Sequence, residues 1–198
     1  SLLKVRLPGR DTVAILGAQG LGFSLARELG RAGIPTVFVD SNPQSVRRAE
    51  EEGFRVVFGN ALQERTFSRA RFYRVREVAA LTGNSMLNGV YVTRCQELFH
   101  IDAAYVSLVP GSTGVGRELV EAGEALEIFD STHDVERWDV RERNGDVKVE
   151  YRVFNPVEDA ETPPSAIADR VVEYYVILTV SRGSATKVMS ATFELRPG

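Results

Sequence analysis

The sequence has little cysteine, histidine or tryptophan, and it lacks any long apolar run. Only one of its 198 residues, Cys95, is a cysteine, which excludes an internal disulfide and favours a reducing compartment. The 2 histidines, His100 and His133, are too few for a histidine-rich metal site, and neither a CxxC nor an HExxH pattern occurs. We therefore predict no metal site.

Basic charge of the kind that binds nucleic acid is also lacking. The net charge is -3, so no nucleic-acid partner is expected. No apolar stretch approaches about 18 residues and the start has no secretory pattern, so we expect this segment by itself to be soluble. The sequence ends directly after a strand-like segment, which suggests a piece of a longer protein. The 43% hydrophobic content is enough for one good core and a smaller second unit.

A glycine-rich turn dominates the first part of the chain. Residues 12–40, TVAILGAQGLGFSLARELGRAGIPTVFVD, read as strand, turn, helix and strand. The apolar run Val13–Leu16 is typical of a strand buried on both faces, and Phe23–Arg31 has apolar residues at helical spacing. Pro35 prevents the helix from continuing before the strand Thr36–Val39. This order predicts a βαβ unit whose turn holds Gly17, Gly20 and Gly22.

Such a turn is suited to binding phosphate, because it lets phosphates approach the backbone and directs the positive end of a helix dipole at them. Asp40 ends the second strand about 20 residues later, where a carboxylate accepts hydrogen bonds from a ribose and repels a 2′-phosphate. The predicted ligand is NAD or an adenine nucleotide rather than NADP. The spacing departs from GxGxxG, because position 19 is Gln19 and the extra glycine is Gly20.

Polar residues follow two further predicted strands. Phe54–Phe58 is followed by Gly59-Asn60-Ala61, and Val78–Leu81 is followed by Thr82, Gly83 and Asn84. Ligands of Rossmann-like sheets bind at the carboxyl ends of the strands, so these residues are candidate ligand contacts. With a fifth strand at Ala103–Val109, the alternation of strands and helices predicts an α/β fold with a Rossmann-like, doubly wound parallel sheet.

From residue 131 the hydrophobic period changes to two. Residues 135–154 alternate on both sides of Asn144-Gly145, which predicts a β-hairpin. A second antiparallel pair is predicted over Val171–Ser181 and Thr186–Leu195. We therefore predict two domains: a nucleotide-binding domain over residues 1–130 and a small, mostly antiparallel β unit over residues 131–198.

This order of motifs resembles the RCK domains, also called KTN or TrkA-N domains, which regulate potassium channels and cation/proton antiporters from the cytoplasm. The resemblance covers about residues 12–130 and rests on GAQGLG, Asp40, Gly59-Asn60-Ala61 and Thr82. Asn60 replaces the aspartate usual in a GDA triplet. The closing segment YYVILTVSRGSATKVMSATFELRPG is similar to part of the companion RCK-C domain and stops before its expected aspartate.

The resemblance implies a cytoplasmic domain at the inner face of the cell membrane that binds NAD(H), ATP, ADP or AMP. It also implies a homodimer or higher oligomer attached to the membrane part of a transporter or channel, in the same chain or a partner chain. The cofactor-binding residues are then predicted to be Gly17, Ala18, Gln19, Gly20, Leu21, Gly22, Asp40, Ser41, Asn60, Ala61, Thr82, Gly83 and Asn84.

Catalytic residues are not evident in the sequence. There is no Tyr-x-x-x-Lys pair, and Tyr91, Cys95 and Tyr105 are more simply explained as core residues. The favoured hypothesis is a nucleotide-sensing regulatory domain that is not an enzyme and whose dimer packing depends on the ligand. A small NAD-dependent oxidoreductase and a ligand-free dimerisation scaffold are the alternatives.

Overall fold

Six parallel strands form the main sheet of the protein. The computed structural model describes residues 9–129, 133–151 and 176–193. The sheet order is β3-β2-β1-β4-β5-β6, which places β1 beside β4 at the point where the strand order reverses. The strands are β1 Thr12–Leu16, β2 Thr36–Asp40, β3 Val56–Phe58, β4 Val75–Ala80, β5 Ala103–Val106 and β6 Leu126–Glu127.

Helices cover both faces of this sheet, as a doubly wound fold requires. They are α1 Gly20–Arg31, α2 Pro43–Glu51, α3 Glu64–Ala70, α4 Ser85–Leu98, α5 Val115–Glu121 and α6 Val135–Arg143. A single 3₁₀ turn, Phe72–Arg74, joins α3 to β4. The edge strand β6 follows α5 after a short connection.

The two sides of β1 belong to two different apolar layers. Val13 and Ile15 pack in the layer that contains Phe23 and Leu25 of α1. The alternate residues, Ala14 and Leu16, lie in the opposite layer with residues of α3, α4 and α5, because successive side chains of a strand point to opposite faces. Every residue of β1 is buried, which confirms the prediction of a strand covered on both faces.

A small antiparallel sheet lies beside the edge strand β6. It consists of β7 Thr179–Arg182 and β8 Ala185–Val188, joined by a tight turn in which Gly183 has a φ of +58°. The chain after β8 pairs with the edge of the main sheet: the Phe129 N–H donates to the Met189 carbonyl at 2.7 Å. The predicted fold class, a parallel Rossmann-like sheet followed by a small antiparallel unit, is confirmed.

The hairpin predicted across residues 135–154 is wrong in the part that the structure describes, because Val135–Arg143 is the helix α6. Asp134 caps its first turn by accepting from the Arg137 N–H at 3.0 Å. Gly145, with a φ of +76°, follows its last turn. An Asn-Gly pair serves a helix end as well as a hairpin turn, because both need a residue with positive φ. Val135 and Trp138, which are three residues apart, are both buried in the apolar layer that contains α1. This burial favours the helix over the hairpin.

Two further expectations concern residues that lie partly outside the described ranges. The predicted strand Val171–Ser181 is described only from residue 176, and Thr186–Leu195 only to residue 193. The domain boundary at residue 130 remains a prediction. Within residues 9–129, 133–151 and 176–193, no helix is both long and apolar enough to span a bilayer, and no cluster of metal-ligating side chains is found.

The contact between α4 and α5 generates a stability prediction with a built-in control. A Cβ at Gly89 of α4 would lie 2.5 Å from the backbone nitrogen of Gly116, whereas one at Gly30 of α1 would meet nothing within 4 Å. Gly89→Ala should therefore lower the free energy of unfolding by about 1–3 kcal/mol through overpacking. Gly30→Ala should raise it by roughly 0.5–1 kcal/mol, the usual gain in helix propensity.

Urea denaturation followed by circular dichroism measures both changes on the full chain. Gly30→Ala is the same substitution at a site without a close neighbour, so a free energy of unfolding that rises in both variants would contradict the backbone contact between α4 and α5.

Candidate functional site

A cavity of about 720 Å³ opens at the carboxyl ends of the parallel strands. It lies where β1 and β4 are neighbours, the position at which sheets of this order bind ligands. Its volume is in the range of small-molecule sites. The residues that line it are Gly17, Gln19, Asp40, Asn42, Ser45, Thr82, Gly83, Asn84, Ser85, Met86, Leu87, Val109, Ser112, Thr113 and Glu136.

The turn between β1 and α1 needs glycine at two positions for steric reasons. Gly17 has a φ of +98°, and a Cβ there would lie 2.9 Å from the Leu81 carbonyl oxygen. A Cβ at Gly22 would lie 2.8 Å from the Gly17 carbonyl oxygen. These two glycines therefore bring the start of α1 against the ends of β1 and β4, and only Gly17 reaches the cavity.

Helix α1 begins at the cavity end of the sheet. Gln19 is the N-cap residue, and its side chain makes no capping hydrogen bond. The Gly22 N–H donates to the Gln19 carbonyl at 2.8 Å, and Gly20, Leu21 and Gly22 are buried, so only Gly17 and Gln19 of this turn reach the cavity. Gly20, the extra glycine of the motif, has a φ of +40° and is covered by α6: a Cβ on it would lie 2.7 Å from the Cα of Asp139.

Asp40 connects the end of β2 to the glycine turn. One carboxylate oxygen accepts from the Ala18 N–H and the other from the Asn42 N–H, each at 2.8 Å. Asn42 in turn caps α2 by accepting from the Gln44 N–H at 2.9 Å. The carboxylate is therefore held in a fixed position at the rim of the cavity, and it is only partly buried. That is the arrangement needed to accept hydrogen bonds from a sugar hydroxyl.

A buried amide side chain holds the opposite rim. Asn88 of α4 is fully buried; its Oδ1 accepts from the Thr82 hydroxyl at 2.6 Å, and its Nδ2 donates to the Thr82 and Ser107 carbonyls at 2.8 and 3.0 Å. Asn84 caps α4 by accepting from the Leu87 N–H at 3.0 Å. These bonds tie the ends of β4 and β5 to α4, and they set the position of Thr82 in the cavity wall.

Helix α6 closes one side of the cavity. The Glu136 side chain lies flat against Gly83, since a Cβ on that glycine would fall 2.2 Å from Glu136 Oε1. Asp139, one turn further along α6, lies over Gly20 and is buried. Glu142 forms an ion pair with Arg48 of α2 and another with Arg27 of α1.

The structure brings together about half of the predicted site residues. Six of them line the cavity: Gly17, Gln19, Asp40, Thr82, Gly83 and Asn84. Seven do not: Ala18, Gly20, Leu21, Gly22, Ser41, Asn60 and Ala61. Ala18 contributes its N–H to Asp40 instead. Asn60 is exposed beyond β3, where its side chain accepts from the Leu62 N–H at 2.9 Å and so shapes its own turn.

Several cavity residues were not predicted from the sequence. Ser112 and Thr113 follow β5, and the strand-end rule that selected Thr82 would also have found them. Asn42 had a signal as well, since Asn-Pro before a charged helix is typical of an N-cap. No sequence signal pointed to Glu136, because its segment was interpreted as a strand and is instead the helix α6.

The side chains considered for catalysis lie in the core and not in the cavity. Tyr91 and Cys95 of α4 are fully buried, and Tyr105 of β5 is 5% exposed, which confirms their prediction as core residues. Burial raises the pKa of the Cys95 thiol far above its ordinary value, so the thiolate that a nucleophile requires is disfavoured. Burial, together with the nearby charge of Glu77, raises the pKa of Tyr105 to about 12.

Comparison with solved structures places the fold among TrkA-N domains. The TrkA-N domain of the inner membrane protein ybaL from Escherichia coli is 17% identical, with a TM-score of 0.53 over 72% of this chain and 100% of that chain. The GsuK channel bound to NAD is 21% identical, with a TM-score of 0.50 over 64% of this chain and 22% of that chain.

A second GsuK structure, bound to ADP, is 22% identical, with a TM-score of 0.50 over 62% of this chain and 32% of that chain. The present chain thus spans less than a third of the GsuK chain in either structure. No curated protein matches this chain at a significant level. The TrkA-N family model matches residues 13–109, which run from β1 to the cavity wall beyond β5. Residues 13–109 of this chain are therefore a TrkA-N domain.

Proposed function

We propose that this chain is a nucleotide-sensing regulatory domain of a potassium channel or a cation/proton antiporter, acting in the cytoplasm at the inner face of the membrane. The observation that carries the proposal is the cavity at the β1–β4 switch point, with the glycine turn in its wall and a fixed carboxylate at its rim. The proposed ligand is NAD(H) or an adenine nucleotide, namely ATP, ADP or AMP.

The geometry of the rim supports an adenosine ligand. Asp40 ends β2 and leaves lone pairs for a ribose, as a second-strand carboxylate does in dinucleotide-binding folds. Gly17 and Gln19, in the turn before α1, line the cavity at the positive end of that helix, which favours a phosphate. Thr82 and Asn84 on the opposite rim offer polar groups to the remainder of the ligand. The GsuK channel has the same fold in this region and was solved with NAD and with ADP, which supports a nucleotide in this cleft.

Regulation requires that the ligand distinguish two arrangements of the protein. A nucleotide shifts the equilibrium only by the difference between its affinities for those two arrangements. We infer that the arrangements differ in the packing between two protomers of a homodimer or larger oligomer, and that the attached membrane transporter responds to that packing. Helix α6 contributes to the cavity wall and also packs on α1, so a ligand in the cavity contacts a helix outside the matched TrkA-N region.

Two other functions remain open to test: a small NAD-dependent oxidoreductase and a ligand-free dimerisation scaffold. Isothermal titration calorimetry with NAD⁺, NADH, AMP, ADP and ATP separates the scaffold from the sensor, because a scaffold releases no binding heat. Light scattering with and without the nucleotide that binds then tests whether the oligomeric state changes. Oxidation of NADH by candidate carbonyl substrates would establish the oxidoreductase in place of the sensor.

Asp40 provides a test at one residue. Asp40→Ala should weaken nucleotide binding by about 1–3 kcal/mol, the range for a charged hydrogen-bond partner, which is a factor of about 5 to 150 in Kd. Asp40→Asn should lose less, because its amide oxygen still accepts one hydrogen bond. Calorimetry measures both, and Asp146→Ala is the matched control because Asp146 is exposed and does not line the cavity.

Asp40 also holds the glycine turn through Ala18 and Asn42, so circular dichroism must show that the variants are folded. An unchanged Kd in folded Asp40→Ala would mean that the ribose is bound elsewhere.

The buried thiol gives a prediction about chemistry. Cys95 should not react with dithionitrobenzoate in the native protein, because its side chain is fully buried and its thiolate is disfavoured. One equivalent of thiol should react after unfolding in urea, since Cys95 is the only cysteine. Rapid stoichiometric labelling of the native protein would contradict this burial and revive Cys95 as a candidate nucleophile.

A further inference from the structure

Helix α6 places one carboxylate, that of Glu136, in the wall of a cleft that is expected to bind phosphates. Glu136 lines the cavity and lies against Gly83, directly after β4. Asp139 is 7% exposed and lies over Gly20 at the start of α1, and its Oδ1 has no hydrogen-bond partner. With Asp40 on the opposite rim, the cavity wall carries two carboxylates, those of Asp40 and Glu136.

Asp139 is paired with Arg143 of α6 at 2.9 Å, whereas the described lining residues around Asp40 and Glu136 include neither lysine nor arginine. Arg48 of α2 has its charge engaged by acidic side chains outside the cavity wall. It forms an ion pair with Glu142 of α6, a second with Glu52 at 3.3 Å, and lies 3.8 Å from Asp139 Oδ1. Its guanidinium also stacks over the Phe23 ring, 5.1 Å from the ring centre. A phosphate in the cavity would therefore meet no lysine or arginine among the described lining residues.

The position of Glu136 indicates which half of a bound nucleotide would lie beside its carboxylate. Asp40 ends β2 and, under the proposed function, holds the adenosine ribose. Gly83 and Glu136 lie across the switch point, after β4, so the far half of a ligand bound between the two rims must pass Glu136. That half is the nicotinamide nucleoside of NAD(H) or the terminal phosphates of ADP and ATP.

We propose that Glu136 makes this cleft select its nucleotide by charge, so that NAD⁺ is favoured over NADH and over the polyphosphates ADP and ATP. The pyridinium ring of NAD⁺ is positively charged and is attracted to a carboxylate, whereas the reduced ring is neutral and terminal phosphates are repelled. Since the Glu136 side chain is exposed to solvent, the effect is partly screened, and we expect a factor of about 3 to 10 for each unit of ligand charge near it. This inference rests on the proposed function, because it specifies the ligand of that same cleft.

The test is a charge series on the full chain, measured by calorimetry at low ionic strength with EDTA present so that no divalent cation bridges carboxylate and phosphate. The unaltered protein should bind NAD⁺ more tightly than NADH, and NADH more tightly than ADP and ATP. Glu136→Gln removes the charge and keeps the shape, so it should lower the ratio of the ATP Kd to the NAD⁺ Kd by about 5-fold or more, and move the NADH to NAD⁺ ratio towards one. The ratio isolates the far half of the ligand, because all these ligands share the adenosine half.

Glu121→Gln is the matched control. Glu121 is exposed at the end of α5 and does not line the cavity, so this variant changes the net charge equally and should leave both ratios unchanged. Because Glu136 is also exposed, its replacement is expected to leave the fold intact, and circular dichroism verifies this.

The outcomes separate the two proposals. If no nucleotide binds to the unaltered protein, the proposed function fails. If nucleotides bind but Glu136→Gln gives the same ratios as Glu121→Gln, the cleft is a nucleotide site and charge selection by Glu136 is overturned. Tighter binding of ATP than of NAD⁺ to the unaltered protein would also overturn it.

Discussion

The close approach of α1 to the ends of β1 and β4 is the constraint on which the rest of the structure depends. Gly17 and Gly22 permit it, because a Cβ at either position would lie within 3 Å of a backbone carbonyl oxygen. The approach places the start of α1 at the switch point of the sheet and brings Ala18 within hydrogen-bond distance of Asp40. The cavity and its fixed carboxylate both follow from this contact.

The cleft combines opposite electrostatic elements. The positive end of the α1 dipole favours an anion, whereas Asp40 on one rim and Glu136 on the other disfavour extended negative charge. Burial of Val135 and Trp138 against α1 holds α6 in place, and Glu142 adds ion pairs to Arg27 of α1 and Arg48 of α2. The packing that positions α6 therefore also places the Glu136 carboxylate in the cavity wall.

The sequence predicted the fold well where one local signal had one structural meaning. The run Val13–Leu16, the glycines after it and the carboxylate of Asp40 specified the βαβ unit, because period, turn chemistry and spacing all agree. The prediction failed where one signal fits two structures. Asn144-Gly145 supplies the positive φ of a hairpin or of a helix end, and Val135 and Trp138 are buried only because α1 offers an apolar surface for a helix.

For this protein, the sequence by itself determined the strands β1 to β5, the order of elements up to α5, the glycine turn and the polar residues that follow β2 and β4. These depend on interactions between neighbours in the chain. Tertiary structure alone decided which of those residues share a cavity: Thr82 is brought to it by Asn88, whereas Asn60 lies outside it beyond the edge strand β3. It also decided that Glu136 faces Gly83, since a contact between residues so distant in the chain depends on how α6 packs and has no local signature.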